Sequence, residues 1–196
     1  MSHQPAAPNY TPAFSPLNIH SRSLAWQLGA VVAGTVFLAA SSYVEVPMIP
    51  VPMTMQTFAV ALVGALYGWR LGAITIIAWL LEGALGLPVL AGGAAGFQHF
   101  LGATGGYLFA FPIAGAVAGC LAERGWNGKR PVLAFVGMLA SNATCLALGG
   151  TWLAVMIGAE QALTFGVTPF LVGAVLKSVL GAAALMALDR SASRSA

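Results

Sequence analysis

Charged side chains are scarce in this sequence, and their scarcity indicates its structural class. Only 7% of the 196 residues are charged, against roughly 25% in soluble domains, whereas 59% are hydrophobic. So few charges cannot cover a surface exposed to water, and we therefore expect the apolar surface to face lipid. The net charge of +3 is small and scattered, which argues against a nucleic-acid partner.

Cysteine pairs, metal-ligand clusters and nucleotide-binding loops are missing as well. Cys120 and Cys145 fall inside apolar runs without paired spacing, so they predict neither a disulfide framework nor a metal site. His99 has no second His or carboxylate at ligand spacing. No G-x-x-x-x-G-K-[ST] loop occurs, so the chain cannot hydrolyse ATP by itself. We expect no metal and no covalently bound cofactor.

Apolar runs dominate what is present, and they predict an all-α membrane protein. About 20 residues of helix cross a hydrocarbon core of roughly 30 Å. Proline, glycine or polar residues separate the runs, and we expect a compact bundle of six transmembrane helices. The predicted spans are 24–44, 54–67, 71–87, 105–121, 131–157 and 169–188.

The remaining residues form tails and connecting loops, with no room for a soluble domain. Residues 1–23 are predicted to be a mobile tail, 24–188 the membrane domain and 189–196 a second tail. No signal-peptide pattern is found at the start. A tight turn is expected at residues 68–70, and loops 1 and 3 are predicted to be irregular.

Basic residues predict the orientation of the six spans. With this topology seven of the eight bases fall on one face, which the positive-inside rule makes cytoplasmic, together with both termini. The opposite loops contain Glu45 and Glu160 but no Lys or Arg. The seven bases are Arg22, Arg70, Arg124, Lys129, Arg130, Arg190 and Arg194.

Lys177 is the eighth base, and it lies about eight residues, or roughly 12 Å, into the sixth span. A lysine in mid-span costs on the order of 2.5–3.5 kcal/mol on insertion scales, so it is expected to face a protein interior or a watery cavity. Glu82 is predicted at a similar depth in the third span. Two interpretations remain open: a structural ion pair between Glu82 and Lys177, or a site where Lys177 receives an anionic ligand from outside.

Glycine-rich backbone is predicted on the same outer face. The segment 87–107 contains Gly92 and Gly93 and has little helical tendency. Irregular backbone at membrane depth is tolerated only where it is buried in protein or lines a cavity. These glycines would let the main chain approach a ligand, although a tight reentrant turn packed with small residues is the alternative.

Several motifs in a fixed order resemble a known family. They are PVPMTMQT (50–57), GALYGWRLGA (64–73), GLPVLAGG (86–93), TGGY (104–107) and PFLVGAVLK (169–177). Together they are similar to the biotin-specific S component, the BioY family, of energy-coupling-factor (ECF) transporters. The resemblance extends over residues 50–178.

The resemblance implies a fold and a function. The family's fold is a six-helix bundle in which loops 1 and 3 close over biotin at the outer side of the membrane. High-affinity biotin capture at the outer face would follow, with uptake energised by ATP through a transmembrane coupling subunit and two cytoplasmic ATPase subunits. The bacterial inner membrane is the implied location, and no nucleic acid is involved.

The sequence departs from the family pattern at three positions. The family commonly has Asp three residues before the lysine of helix six, where this chain has Ala174. Common Pro and Tyr positions are occupied by Ala103 and Trp79. The polar network around Lys177 is therefore expected to differ, and Glu82 is a candidate replacement for the missing Asp.

The chemistry of biotin suggests roles for particular side chains. Lys177 would neutralise its carboxylate or donate to its ureido oxygen, and Trp79 and Tyr107 would flank the bicyclic ring unless they are interfacial belt residues. An inter-helix hydrogen bond is the alternative for Asn142. The full set predicted to bind biotin is Lys177, Asn142, Gln56, Thr54, Gln98, Tyr107, Trp79, Glu82, Gly92 and Gly93.

Small residues on the first helix suggest a docking face for the coupling subunit. Ala30, Ala33 and Gly34 belong to two small-xxx-small pairs, which allow close helix contact, and packing within the bundle is the alternative.

Other functions are also considered. An S component for another small vitamin and a solitary transporter fit the same pattern. An intramembrane enzyme using Glu82, His99 and Lys177 lacks a catalytic constellation, and a channel or scaffold would show no saturable ligand binding.

Overall fold

Helices form most of the part of the chain that the structure describes, because backbone in lipid must satisfy its hydrogen bonds within its own segment. The computed structural model describes residues 23–194, and residues 1–22 of the predicted tail lie outside this part. Within residues 23–194, five helices are long and apolar enough to cross a membrane. The long helices are α1 (Leu24–Ser42), α2 (Gln56–Ala84), α4 (Gly105–Glu123), α5 (Pro131–Ile157) and α7 (Thr168–Arg194).

Short elements connect the long helices. Strands β1 (Glu45–Val46) and β2 (Met53–Thr54) pair antiparallel between α1 and α2. A 3₁₀ turn (Ala91–Gly93) and the short helix α3 (Gln98–Leu101) precede α4. Helix α6 (Ala159–Gln161) and a π-helical turn (Ala162–Val167) lead into α7.

Helix α2 folds back on itself at Gly68, as the predicted turn at 68–70 requires. Gly68 has φ 78° and ψ 169°, a conformation that favours glycine. A β-carbon placed on Gly72 would lie 2.9 Å from Cα of Gly64. In a continuous helix these residues would be roughly 12 Å apart along the axis. The two arms of α2, residues 56–67 and 69–84, therefore lie side by side, and the loops at both ends of α2 emerge at one end of the bundle.

Some boundaries differ from the predicted ones. Helix α1 ends two residues early at Ser42, and α2 ends at Ala84 because Gly86 adopts φ 102°. Helix α7 continues to Arg194, past the predicted end at residue 188. No Gly or Pro follows Gly181, and the Ala- and Leu-rich stretch after it favours helix beyond the apolar run. The β1–β2 hairpin was not predicted, since its two-residue strands flank a proline-rich segment.

Close packing through glycine joins α2 to α4. A β-carbon at Gly64 would collide with the carbonyl oxygen of Gly115, and one at Gly119 would collide with the backbone nitrogen of Trp69. The centre of the core lies nearer the loop end, where Leu38, Ile76 and Trp79 are fully buried. Large apolar side chains on α1 and α7 remain exposed, as expected for a surface that meets lipid.

Substitution of Gly64 by Ala is expected to destabilise the bundle. The new methyl group would meet backbone rather than a movable side chain, and overpacking of this kind costs typically about 1–3 kcal/mol. Gly29→Ala is the matched control, because a β-carbon there meets nothing within 4 Å. Thermal unfolding in detergent should give a lower midpoint for Gly64→Ala and an unchanged or higher one for Gly29→Ala. Equal midpoints would contradict the close approach of α2 and α4.

Candidate ligand site

A cavity of about 290 Å³ lies at the loop end of the bundle. Its volume is close to the lower end of the range for small-molecule sites, roughly 300–1,000 Å³. The start of α2, the segment before α4, and helices α4, α5 and α7 all contribute to it. The lining residues are Pro50, Val51, Pro52, Thr54, Gln56, Thr57, Leu90, Ala91, Ala94, His99, Thr104, Tyr107, Leu108, Phe111, Cys145, Leu146, Phe170 and Lys177.

Lys177 provides the cationic group of the cavity. Helix α7 carries Lys177 two turns after Phe170, so both side chains lie on the same side of the helix and line the cavity. The Lys177 Nζ donates to the carbonyl oxygen of Thr54 at 2.5 Å and to Oγ1 of Thr57 at 3.2 Å. An ammonium group has three N–H donors. Since the described residues use two, one donor is left for a ligand.

A chain of hydrogen bonds holds Thr54, whose carbonyl oxygen accepts from Lys177. The Thr54 hydroxyl donates to Oε1 of Gln56, and Nε2 of Gln56 donates to the hydroxyl of Ser42. Ser42 in turn donates to the carbonyl oxygen of Leu38 in α1. All three polar side chains are buried. The start of α2 is therefore held against the end of α1, which sets the position of the Thr54 carbonyl.

Glu82 does not pair with Lys177. Within residues 23–194 no ion pair joins the two, and Glu82 is half-buried but does not line the cavity. The physical reason is the fold of α2: Lys177 contacts the beginning of the first arm, whereas Glu82 belongs to the second arm. The similar depth predicted for the two residues therefore does not make Glu82 a partner of Lys177. The predicted roles of Glu82, as an ion-pair partner and as a ligand contact, are therefore not supported by its placement.

Tyr107 lies in the cavity wall, and Trp79 lies behind it. The Tyr107 hydroxyl donates to the carbonyl oxygen of Gly166 at 2.7 Å, and its ring is 6.3 Å from that of Phe170, centroid to centroid. Trp79 is fully buried and donates through Nε1 to the carbonyl oxygen of Val89. Its ring packs 5.8 Å from Phe111, which does line the cavity. Trp79 was predicted to flank the ligand, but it does not line the cavity itself and instead supports Phe111 from behind.

Asn142 and Gln98 also lie outside the lining. Asn142 is buried and donates to the carbonyl oxygen of Met138 and to the hydroxyl of Ser178, which is the inter-helix bond left open by the sequence. Gln98 is exposed and donates to the carbonyl oxygen of Ala95.

Gly92 and Gly93 do not line the cavity, and both lie against side chains of the first loop. A β-carbon on Gly92 would lie 2.6 Å from Oε1 of Glu45, and one on Gly93 would lie 3.1 Å from the ring of Tyr43. Both glycines have positive φ, 61° and 81°. The Tyr43 hydroxyl donates to the carbonyl oxygen of Pro88 at 2.5 Å. These contacts join the segment 43–55 to the segment 85–104, and the two segments together cover the cavity.

Sequence reasoning missed several lining residues. His99 was considered only as a metal ligand or as part of a catalytic group, yet α3 places it in the cavity wall. Phe170 could have been found from its seven-residue spacing to Lys177. Thr57 lies inside a quoted motif, but its contact with Lys177 depends on long-range packing. Within residues 23–194 no group of three or more His, Cys, Asp or Glu side chains could hold a metal ion.

The predicted docking residues of α1 separate into two environments. Ala30 and Gly34 are buried against α2, where Gly34 lies beside Tyr67 and Thr75. Ala33 is exposed. Packing within the bundle therefore accounts for two of the three small residues.

Tyr43→Phe is expected to loosen the two covering segments. Loss of a net hydrogen bond of about 1 kcal/mol should raise amide hydrogen exchange in residues 44–54 and 88–94 by roughly fivefold. Tyr67→Phe is the control, because its hydroxyl also donates to a backbone carbonyl, that of Ala30, but away from the loops. Unchanged exchange in both segments of the Tyr43 variant would show that this contact does not hold them.

Comparisons with a family model and with curated proteins point to the same family. The model of the BioY family matches residues 14–194. A probable biotin transporter BioY of Pyrococcus horikoshii is 38% identical over 140 residues, 71% of this chain and 82% of that protein. The biotin transporter BioY2 of Lactococcus lactis is 31% identical over 174 residues, 85% of this chain and 93% of that protein.

A solved structure supports the same fold. The crystal structure of an S component for biotin from an ECF-type ABC transporter superposes with a TM-score of 0.75, covering 87% of this chain and 95% of that one. The two are 22% identical, so the likeness concerns the fold.

Proposed function

The chain belongs to the BioY family, and from this premise we propose that it captures biotin with high affinity at the outer face of the membrane. Its curated relatives are named as biotin transporters, so we take the chain to be a transport protein rather than an enzyme. The observation that carries the proposal is the Lys177 ammonium in the cavity wall, with one donor left beyond Thr54 and Thr57.

The cavity fits the chemistry of biotin. Biotin combines a carboxylate, a polar ureido ring and an apolar thioether ring, and such a ligand suits a mainly apolar site with a few placed polar groups. The remaining donor of Lys177 would bind the carboxylate or the ureido oxygen. Tyr107, Phe111 and Phe170 provide apolar wall, and Gln56 and His99 offer further polar contacts.

The topology we propose has six membrane crossings, with α2 supplying two. Its arms are antiparallel because the chain reverses at Gly68, so the neighbouring basic residue Arg70 lies at the end opposite the cavity. Arg124, Lys129 and Arg130 lie in the loop between α4 and α5. By the positive-inside rule this end and both termini are cytoplasmic, in the inner membrane of a bacterium, and the cavity faces outward.

ATP hydrolysis is assigned to partner proteins. The sequence has no P-loop, so a transmembrane coupling subunit and cytoplasmic ATPase subunits of an ECF module would energise uptake. Helix α1 packs mainly against α2 and leaves much of its surface exposed. We place the docking face on the exposed side of α1, at Gly29 and Ala33 rather than at the buried Ala30 and Gly34.

Lys177→Met is expected to weaken biotin binding at least tenfold, about 1.4 kcal/mol, because it removes the ammonium but keeps a long side chain. Isothermal titration of the detergent-solubilised protein should show one biotin per wild-type chain. Lys129→Met is the matched control and should bind as wild type, since Lys129 lies at the opposite end.

Two results would contradict the assignment. An unchanged dissociation constant for Lys177→Met would remove Lys177 from the site. Binding of another vitamin in place of biotin by the wild-type chain would exclude biotin as the ligand while leaving the cavity as a binding site.

Ala33→Trp is expected to abolish co-purification with the coupling and ATPase subunits while leaving biotin affinity unchanged. A bulky ring on an exposed helix face blocks close helix contact without disturbing the interior. Val172→Trp is the control, because Val172 is also exposed but lies on α7. Intact complexes with the Ala33 variant would place the docking face elsewhere.

A further inference from the structure

A second space lies directly behind the ligand cavity. It is an apolar groove of about 580 Å³ between α5 and the segment that runs from α6 into α7. Ala143, Ala147, Leu171 and Val175 border it and are themselves exposed, so the groove opens on the outside of the bundle. The groove lining includes the polar side chain of Thr151. Its hydroxyl donates to the carbonyl oxygen of Ala147, so its hydrogen bond is made within α5.

Helices α5 and α7 each present one side to the cavity and another to the groove. On α7, Phe170 and Lys177 line the cavity, whereas Leu171 and Ala174 line the groove. On α5, Cys145 lines the cavity and Ala147 lines the groove. The seam between the two helices is thus the partition between the two spaces.

Leu146 fills this seam. Among the described residues it is the one that lines both spaces, and it packs against the buried core as a half-buried side chain. On the next turn of α5, Tyr107 packs against Gly149 and Val167 packs against Gly150, so these side chains fill the space there. At Leu146 the same side chain borders both spaces, and the partition is therefore one side chain thick.

We propose that Leu146 is a specificity-determining residue, whose side chain closes the cavity toward the apolar groove and limits the size of the ligand on that side. This inference rests on the proposed function of the cavity as a biotin site. With Leu146 in place, a biotin derivative with an apolar substituent pointing into the seam collides with it. Without that side chain, the substituent extends into the groove, whose apolar lining is already formed.

Leu146→Ala tests the proposal by a gain of binding. The ligands are biotin, biotin N-hexylamide and a biotin hexylated on a ureido nitrogen, so that both polar ends of the molecule are probed. Wild-type protein is expected to bind biotin and to bind both hexyl derivatives at least 100-fold more weakly. Leu146→Ala should bind at least one derivative tenfold or more tighter than wild type does, and its affinity for biotin should fall by less than tenfold.

Two control variants replace a different leucine by alanine, one in the cavity and one in the groove. Leu108 lines only the cavity and Leu171 only the groove, among the spaces described above. Leu108→Ala enlarges the cavity without opening the seam, and Leu171→Ala enlarges the groove alone, so neither should gain affinity for a hexyl derivative. If Leu146→Ala is too unstable to purify, Leu146→Val should give a smaller gain in the same direction.

The outcomes separate the two hypotheses. If the variants bind biotin but Leu146→Ala gains no affinity for either hexyl derivative, the proposed role of Leu146 is overturned. The proposed function of the cavity is then unaffected. If Leu108→Ala gains as much affinity for a hexyl derivative as Leu146→Ala does, cavity volume alone determines binding of the derivative, and the proposed role of Leu146 is also overturned. Failure of the wild-type protein to bind biotin refutes the proposed function, and the inference about Leu146 falls with it.

Discussion

Burial of the Lys177 ammonium is the constraint on which the rest of the site depends. An unpaired cation inside a membrane protein is strongly unfavourable, so its N–H groups must find oxygen atoms. Here the acceptors are a main-chain carbonyl and a hydroxyl, those of Thr54 and Thr57, and no carboxylate of residues 23–194 takes part. Because neither acceptor carries a charge, the site keeps a net positive charge that an anionic or strongly polar ligand would offset.

The position of Thr54 in turn depends on the arrangement of the helices around it. Gln56 and Ser42 hold the start of α2 against the end of α1. The reversal at Gly68 brings the C-terminal end of α2 back to the end of the bundle where α2 begins. The segment 85–104 that follows therefore covers the cavity. Glycine contacts between α2 and α4 allow this close arrangement, and a short turn in the middle of α2 therefore determines which loops can meet a ligand.

Sequence patterns predicted the helices and part of the site, and the physical reason differs between the two. Hydrophobic length predicted the long helices, and the cost of an intramembrane lysine drew attention to Lys177. Thr54, Gln56 and Tyr107 were found because they belong to ordered motifs. Spacing shows which residues share a face of one helix but not which face of that helix meets the cavity, which explains why Trp79, Asn142 and Glu82 were named although they do not line it. The contacts between Tyr43, Glu45 and the glycine-rich segment depend on residues far apart in sequence, and no local pattern predicts them.

The fit between Glu45 and Gly92 and between Tyr43 and Gly93 has a practical consequence for re-engineering ligand preference. Each glycine is favoured by its positive φ, and a side chain in its place would displace Glu45 or Tyr43 of the other segment, so exchanging one segment alone disturbs the contacts of both. A graft from another family member would have to carry residues 43–55 and 85–104 together. Natural divergence faces the same restriction, and substitutions in the two segments should be inherited as matched sets.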